Sequence, residues 1–266
     1  MRPRFFIDEP SGIPPGSSSQ PSPGRIVELP LADAHHARTV LRARVGDMVE
    51  LVFPASRVVT EGVVEAVDPV VTVRVTAVES GSMPARLEIM LVQGLCQPRK
   101  IDEIVEKGTE VGVDSFLIVP ATASPDIPVK RIEARLERWC AIAREAAKQS
   151  KQRAVPQVRV AERLHLALRL LQVEGWASIV LDTGAPEYLK VVLEGDVELS
   201  HGGREHGTPP ARVALWVGPE GGWSDDEVKM LAQGGVRPAH LGRRVLRTET
   251  AGPVAGALTR GFLSDW

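Results

Sequence analysis

Residues 4–80 consist largely of short apolar runs that alternate with polar residues, a period of two that is typical of half-buried β-strands. The runs are rich in valine, which favours strands, and Gly, Asp and Pro residues separate them at turns. One interruption, 32–44, has helical spacing. The pattern predicts a small β-barrel with one helix. Its strands are predicted at 4–7, 26–29, 48–53, 58–67 and 70–78.

After residue 82 the pattern changes to strands that alternate with amphipathic helices, which is typical of a mostly parallel sheet with helices on both faces. We therefore place a boundary between a barrel domain, 1–82, and an α/β domain, 83–266. The most regular helix, 131–150, has one apolar face bordered on both sides by arginine and lysine residues. Strands are predicted at 87–95, 115–119, 178–181, 213–217 and 239–241, and further helices at 100–111, 225–232 and 249–263.

The charge balance first argues against a nucleic-acid partner, because 32 Lys and Arg residues face 34 Asp and Glu residues, a net charge of −2. The charge is segregated, however. Residues 130–159 hold nine basic and three acidic side chains, and residues 237–266 hold five and two. Such basic runs are either solvated surface or contacts for a phosphate backbone.

Several protein classes do not fit the composition. No apolar run approaches the ~20 residues that a membrane helix needs, and the first residues do not have the pattern of a secretory leader. Cys96 and Cys140 lie far apart, which predicts neither a disulfide framework nor a metal site. We therefore expect a cytoplasmic protein without a metal.

Two loops combine strand ends, glycines and polar residues in a way that favours ligand binding. The first, 218–222 (GPEGG), precedes Ser224 and Glu227, which have the spacing of a helix capping box. The second, 241–251 (LGRRVLRTETA), enters a helix with Arg247, where a cation opposes the helix dipole and so indicates anion binding. Ordinary turn chemistry is the alternative explanation of the glycines. Neither loop has the spacing of a dinucleotide- or triphosphate-binding motif.

Together the two loops resemble the signature of the RsmE-type 16S rRNA uridine-N3 methyltransferases, which belong to the knotted SPOUT class. Upstream, Lys100 with the EKGTEVG run of 106–112, and RW at 138–139 with EAAKQS at 145–150, resemble further motifs of the family. The resemblance covers nearly the whole chain. It implies an α/β fold, namely a SPOUT α/β-knot domain with a deep trefoil knot and a mostly parallel sheet, preceded by an N-terminal PUA-like β-barrel that binds RNA.

The resemblance also implies the cofactor and the reaction. S-adenosyl-L-methionine would bind in the knot of a homodimeric enzyme. Its methyl group would go to N3 of a uridine in the decoding region of 16S rRNA, in the small ribosomal subunit. The cofactor-binding residues implied are Leu181, Asp182, Gly218, Glu220, Gly221, Gly222, Leu241, Gly242, Val245 and Leu246.

Methylation at N3 requires that a proton leave, because uracil N3 is protonated at neutral pH. Either a base removes the proton or a cation stabilises the anion. Arg247 is the predicted cation, although it could instead hold phosphate, and Glu249 is either the base or an anchor for Arg247. Glu220 is predicted to orient a loop or the substrate. RNA-binding residues are predicted at Arg4, Arg38, Arg42, Lys100, Arg144, Lys148, Gln149, Arg153 and Arg247.

Two other functions fit the same sequence: a knotted methyltransferase that acts on tRNA or 23S rRNA, and a non-catalytic RNA-binding assembly factor. The chain also departs from the family pattern. Arg243 stands where the family has a proline, and Ala123 and Gln152 stand where it has arginines. These departures concern cofactor and RNA contacts.

Overall fold

Two compact units make up the chain. One comprises Met1–Met83 with Ala147–Val155, and the other comprises Pro84–Ala146 with Pro156–Trp266. The computed structural model describes residues 2–8, 21–79, 87–127, 129–196 and 211–263. The predicted boundary after residue 82 lies outside these ranges. The sequence pattern does not predict that Ala147–Val155 belongs to the first unit.

The first unit contains, within its described residues, β1 (Arg4–Phe6), β2 (Ile26–Glu28), α1 (Leu31–Thr39), β3 (Met48–Phe53), β4 (Val58–Ala66) and β5 (Thr72–Val78). The strands form one sheet in the order β1-β3-β4-β5-β2. β1 and β3 are parallel, and the other pairs are antiparallel. The alternating valines bury one face of the sheet in a core that includes Phe5, Leu51 and Val73.

Helix α1 ends at Thr39, earlier than the predicted end at residue 44, so that prediction is wrong. Arg42 has φ of 52°, in the left-handed region that no α-helix of L-residues continues through. Asp47 then accepts a hydrogen bond from the N–H of Arg44 at 2.7 Å. A local side-chain bond thus holds a turn where the apolar spacing predicts another helical turn.

The segment Ala147–Val155 packs on the sheet of the first unit. Ala147 joins a buried cluster with Phe6, Val52 and Val59. The Nζ of Lys148 lies 2.6 Å from Oδ1 of Asp33, and both side chains are largely buried. An apolar contact and an ion pair therefore hold this segment against the first unit.

The second unit contains, again within the described residues, β6 (Leu87–Gly94), α2 (Pro98–Glu110), β7 (Ser115–Val119), most of α3 (Val129–Gln149), β8 (Gln157–Val160), α4 (Leu164–Val173), β9 (Ala177–Leu181), α5 (Leu189–Asp196), β10 (Ala211–Val217), α6 (Asp225–Gln233), β11 (Arg237–Ala239) and α7 (Thr248–Phe262). The six strands form a sheet in the order β11-β9-β10-β6-β7-β8. Every strand pair is parallel, which confirms the predicted parallel sheet.

Both faces of this sheet are covered by helices. Leu168 of α4 and Leu231 of α6 pack with Met90, Val92 and Trp216 of the strands. α7 contacts β6, β10, α2 and α5. The sequence predicts neither β8, α4 nor α5. In the described part of the chain, no helix is long and apolar enough to cross a membrane.

Candidate functional site

The loops that follow β9, β10 and β11 surround a cavity of about 710 Å³ in the second unit. These three strands are parallel neighbours, so their carboxyl ends meet at one edge of the sheet, where open α/β sheets bind ligands. The cavity lies within the ~300–1,000 Å³ range of small-molecule sites. Nine of the ten predicted cofactor-binding residues line it: Leu181, Asp182, Gly218, Glu220, Gly222, Leu241, Gly242, Val245 and Leu246.

The tenth, Gly221, faces a different neighbour. A Cβ at Gly221 would come within 2.7 Å of the Cβ of Ala123. The small side chain at residue 123 and the glycine at 221 therefore let two loops approach closely. Ala123 is one of the departures from the family pattern.

The loop after β10 makes a tight turn. The N–H of Gly222 donates to the carbonyl of Pro219 at 2.9 Å, and Gly222 has φ of +74°, a conformation that favours glycine. On the other side, Pro219 lies directly against the last residue of β6. A Cβ built on Gly94 would come within 2.5 Å of the Cδ of Pro219. This loop can therefore take its position only because residue 94 is glycine, which has no Cβ.

Gln93 connects three parts of the site, and sequence reasoning missed it. It is fully buried at the end of β6, and its Nε2 donates to the hydroxyl of Thr248 at 2.9 Å. That hydroxyl donates to the carbonyl of Gly218 at 2.6 Å. The network ties β6 to the loop after β10 and to the start of α7. A single glutamine inside an apolar strand matches no motif, so the sequence carries no signal for it.

The predicted capping box at the start of α6 is confirmed. The hydroxyl of Ser224 accepts the N–H of Glu227 at 3.4 Å, and the carboxylate of Glu227 accepts the N–H of Ser224 at 2.8 Å. The second carboxylate oxygen accepts the N–H of Thr122 at 2.7 Å. Burial raises the pKa of Glu227, but these N–H groups outweigh it, so the pKa lies below its usual value. Glu227 thus also fixes the loop that contains Thr122 and Ala123.

Replacing Glu227 with glutamine is expected to lower the free energy of unfolding at pH 7 by about 1–3 kcal/mol. A glutamine offers one acceptor oxygen, so one of the two N–H groups is left without a partner. Because the folded-state pKa is lowered, the contribution of Glu227 is present above the unfolded pKa and is lost as pH falls through the folded pKa. Urea unfolding at several pH values should therefore show wild type and variant converging in acid.

Asp226→Asn is the matched control for this experiment. Asp226 lies in the same helical turn, but its side chain is 94% exposed, and its carboxylate pairs with the exposed Lys229 at 3.4 Å. We expect its loss to change the free energy of unfolding by less than about 0.5 kcal/mol. Equal effects of the two substitutions would contradict the role given to Glu227.

Three charged side chains, Lys100, Glu220 and Glu249, form what we call the Lys100 cluster. The Nζ of Lys100 lies 3.4 Å from Oε1 of Glu220 and 3.3 Å from Oε2 of Glu249. Burial opposes the charge on Lys100, but hydrogen bonding to Glu249 and the charge of both carboxylates raise its pKa. Burial also opposes the charge on Glu220, yet its own N–H, that of Gln97 and the ammonium of Lys100 lower its pKa. Lys100 and Glu220 are therefore both charged at neutral pH.

Arg247, the predicted catalytic cation, lies beside this cluster and lines the cavity. It is the N-cap residue of α7, and its side chain is 85% exposed. Its Nη1 lies 3.9 Å from Oε1 of Glu249, whose side chain is only 15% exposed. The structure thus brings together all three predicted catalytic residues, Arg247, Glu249 and Glu220.

The loop after β11 forms the remaining wall of the cavity. The N–H of Gly242 donates to Nδ1 of His240 at 3.0 Å, which links the loop to the end of β11. Val245 lines the cavity although it is 82% exposed, which is unusual for a large apolar side chain at a cavity wall. Leu241 and Leu246 supply further apolar lining.

The predicted RNA-binding residues differ in their exposure and in whether they form ion pairs within the protein. Arg4 pairs with Glu50 at 2.8 Å and its side chain is 9% exposed, and Lys148 pairs with Asp33. Lys100 belongs to the cluster at the cavity. The exposed members are Arg42, Gln149 and Arg247, and the half-buried ones are Arg38, Arg144 and Arg153.

Cys96 lies close to the Lys100 cluster but has no nucleophilic character. It is fully buried, and burial together with the negative charge of Glu220 raises the pKa of its thiol to about 12. Among the residues that the structure describes, no group of three or more His, Cys, Asp or Glu side chains could hold a metal ion.

Comparison with known proteins identifies the family. The model of the RNA methyltransferase domain family matches residues 83–260. The ribosomal RNA small subunit methyltransferase E of Mycobacterium bovis is 30% identical over 250 residues, which cover 92% of this chain and 90% of that protein. The chain belongs to the RsmE family of RNA methyltransferases. The RsmE protein of Synechocystis is 28% identical over 252 residues, which cover 92% of this chain and 77% of that protein.

Solved structures support the same assignment for the fold. The RsmE structure from Neisseria gonorrhoeae, bound to S-adenosyl methionine, has a TM-score of 0.79 and 24% identity, and the match covers 98% of each chain. A putative methyltransferase from Legionella pneumophila, in complex with the same cofactor, has a TM-score of 0.77 and 23% identity, with the same coverage. The predicted fold class, a SPOUT α/β-knot domain after a PUA-like β-barrel, is thereby confirmed.

Proposed function

We propose that this protein is an S-adenosyl-L-methionine-dependent methyltransferase of 16S rRNA, and that it methylates N3 of a uridine in the decoding region of the small ribosomal subunit. The observation that carries the proposal is the cavity where the loops after β9, β10 and β11 meet, inside the part of the chain that matches the RNA methyltransferase domain. This function also places the protein in the cytoplasm, where ribosomal subunits mature.

The residues around the cavity fit the cofactor. Val217, Leu241 and Leu246 give apolar walls of the kind that an adenine ring needs. Asp182 is exposed beside them, and one of its carboxylate oxygens accepts the N–H of Gly184 at 2.8 Å. Its other oxygen can accept from a ribose hydroxyl, because an ionised carboxylate has about four acceptor sites. We therefore propose that the nine predicted residues that line the cavity hold S-adenosyl-L-methionine here, and that Gly221 shapes their loop through its close approach to Ala123.

When bound, S-adenosyl-L-methionine supplies a methyl group that its sulfonium already activates. The protein must then hold the uracil in line while N3 loses its proton to solvent water, which leaves the anion that takes the methyl group. Arg247 is well placed to stabilise the uracil anion, because its guanidinium lines the cavity, is 85% exposed and has only a long contact, 3.9 Å, with Glu249. Glu220 orients the loop after β10 through the N–H of Gln97, 3.3 Å away.

The role of Glu249 stays open between two alternatives, and the distances favour one of them. Its carboxylate lies 3.3 Å from the ammonium of Lys100 but 3.9 Å from the guanidinium of Arg247. The Glu249 side chain is only 15% exposed and, unlike Arg247, does not line the cavity. We therefore propose that Glu249 anchors the cations of the site rather than acting as the base.

RNA binding is proposed for the exposed basic side chains. Arg42 in the first unit and Arg247 in the second are both exposed, and Arg247 has only the 3.9 Å contact with Glu249. Such side chains can neutralise phosphates without first breaking an internal pair. Arg4 and Lys148 would have to leave their carboxylate partners, so we expect smaller contributions from them.

In vitro methylation tests the proposal. Radiolabelled S-adenosyl-L-methionine is incubated with the protein and with unmodified small subunits, large subunits or tRNA in parallel. We also propose that two chains of 28.8 kDa form a homodimer. The mass of the protein in solution is therefore measured by sedimentation before the methylation experiment. Label in small subunits alone supports the proposal, whereas label in tRNA or 23S rRNA supports the related enzyme class. Stoichiometric RNA binding without cofactor binding in calorimetry would indicate an assembly factor.

A further inference from the structure

Lys100 stands where helix electrostatics disfavour a cation. It lies in the first turn of α2, three residues after the N-cap Gln97, and the first turn contains no acidic residue. A positive charge there opposes the helix macrodipole and is therefore unfavourable. Residues that break a local rule are frequently functional. The charge of Lys100 therefore needs a favourable interaction that offsets the effect of the helix dipole.

That interaction comes from two other segments of the chain. Glu220 belongs to the loop after β10, and Glu249 belongs to the first turn of α7. Both carboxylates lie within 3.4 Å of the Nζ of Lys100. Arg247 is farther from Glu249, at 3.9 Å, and its side chain is 85% exposed, against 31% for Lys100. Lys100 is therefore closer to Glu249 than Arg247 is, and its side chain is less exposed.

The surroundings make this bridge important for the geometry of the cavity wall. Lys100 and Glu220 both line the cavity, and Thr248, next to Glu249, is tied to Gly218 by its hydroxyl. The thiol of Cys96 beside the cluster is neutral, since its pKa is about 12. Without the ammonium, two carboxylates would face each other beside a buried thiol and would repel each other.

We propose that Lys100 is a positioning residue for methyl transfer: its ammonium bridges Glu220 and Glu249 and thereby fixes the loop after β10 against the start of α7. The inference rests on the proposed function, because it assigns a role to Lys100 in that reaction. It differs from a role in RNA binding, because the ammonium faces carboxylates of its own chain.

The test compares Lys100→Met with Lys107→Met in single-turnover methylation of small subunits. Lys107 is on the same helix, its side chain is 55% exposed, and it pairs with Glu110 away from the cavity. We expect Lys100→Met to lower the maximum rate by about 100-fold, as a small misplacement of reacting groups does. The small-subunit concentration for half-maximal rate should stay within about threefold of wild type. Lys107→Met should have the maximum rate and the half-maximal small-subunit concentration of wild type.

The pH profile separates positioning from a general loss of structure. Removing the ammonium takes away one of the interactions that lower the pKa of Glu220, so that pKa rises. The acidic limb of the rate profile should therefore move to higher pH in Lys100→Met and return towards its wild-type position in Lys100→Arg. A purely structural defect would lower the rate equally at every pH.

The outcomes distinguish the two proposals. An inactive wild-type protein would refute the proposed function. An active wild type with Lys100→Met equal to Lys107→Met would overturn only the role of Lys100. A raised half-maximal small-subunit concentration, with an unchanged maximum rate and an unchanged pH profile, would assign Lys100 to RNA binding instead. If Lys100→Met does not fold, Lys100→Gln replaces it in both measurements. A lower maximum rate with a shifted acidic limb supports the role of Lys100, and a wild-type rate and profile overturn it.

Discussion

Replacing Gly94 with alanine is expected to reduce methyl transfer to the small subunit by about 100-fold, although Gly94 does not line the cavity. A Cβ at this position would lie 2.5 Å from the Cδ and 2.7 Å from the N of Pro219. Residue 94 ends β6, which is paired on both sides by β7 and β10, so the strand cannot move. The loop after β10 must shift instead, and with it Glu220 and Gly222.

Titration calorimetry with S-adenosyl-L-methionine and single-turnover methylation measure this effect. We expect cofactor affinity to fall by at least about tenfold, or about 1.4 kcal/mol. Gly261→Ala is the matched control, since a Cβ there has no neighbour within 4 Å and the residue lies in α7. That variant should keep full activity and gain roughly 0.5–1 kcal/mol of stability. Equal cofactor affinity of the two variants would show that the position of the loop after β10 does not affect cofactor binding.

Replacing Arg247 with methionine is expected to lower the single-turnover rate by about 100-fold at saturating enzyme. An exposed guanidinium at the cavity can stabilise charge that develops on the uracil, and methionine keeps the length of the side chain without the charge. Because the Arg247 side chain is 85% exposed, its loss should change the free energy of unfolding by less than about 0.5 kcal/mol. Cofactor affinity, measured by calorimetry, should stay close to that of wild type.

Arg243→Met is the comparison that separates catalysis from phosphate binding. Arg243 is exposed on the same loop but does not line the cavity. We expect this variant to need a higher RNA concentration for half-maximal rate while it keeps the maximum rate. If Arg247→Met shows the same pattern, Arg247 holds phosphate and does not stabilise the anion. A wild-type rate at all RNA concentrations would remove Arg247 from the mechanism.

The parallel sheet and the loops of the site could be predicted from the sequence because their signals are local. Strands such as Ala211–Val217 are continuous apolar runs, and the glycines and polar residues after them mark the turns. Nine predicted cofactor-binding residues line one cavity because adjacent parallel strands bring their ends together. The capping box of Ser224 and Glu227 follows from spacing alone.

The elements that the sequence does not predict lack such local signals. In α4, Leu164, Leu168 and Leu171 are buried, whereas Leu166 and Val173 are exposed, so apolar residues on two faces hide the helical period. The strand Gln157–Val160 is short and lies at the sheet edge.

Contacts between distant segments are invisible to pattern analysis for a different reason. Gln93 hydrogen-bonds to Thr248, 155 positions away, and Lys100 pairs with Glu220 and Glu249 through the fold alone. Lys100 is predicted as an RNA contact because its motif resembles the family's and the sequence pattern shows no partner for its charge. Only the structure shows which carboxylates face it.

Nucleoside mass spectrometry of 16S rRNA from a strain that lacks the gene tests the central claim most directly. We expect 3-methyluridine to disappear from 16S rRNA, the wild-type gene to restore it, and the Arg247→Met gene to restore little of it. Unchanged 3-methyluridine in 16S rRNA, with loss of a different methylated nucleoside from tRNA or 23S rRNA, would contradict the proposed function.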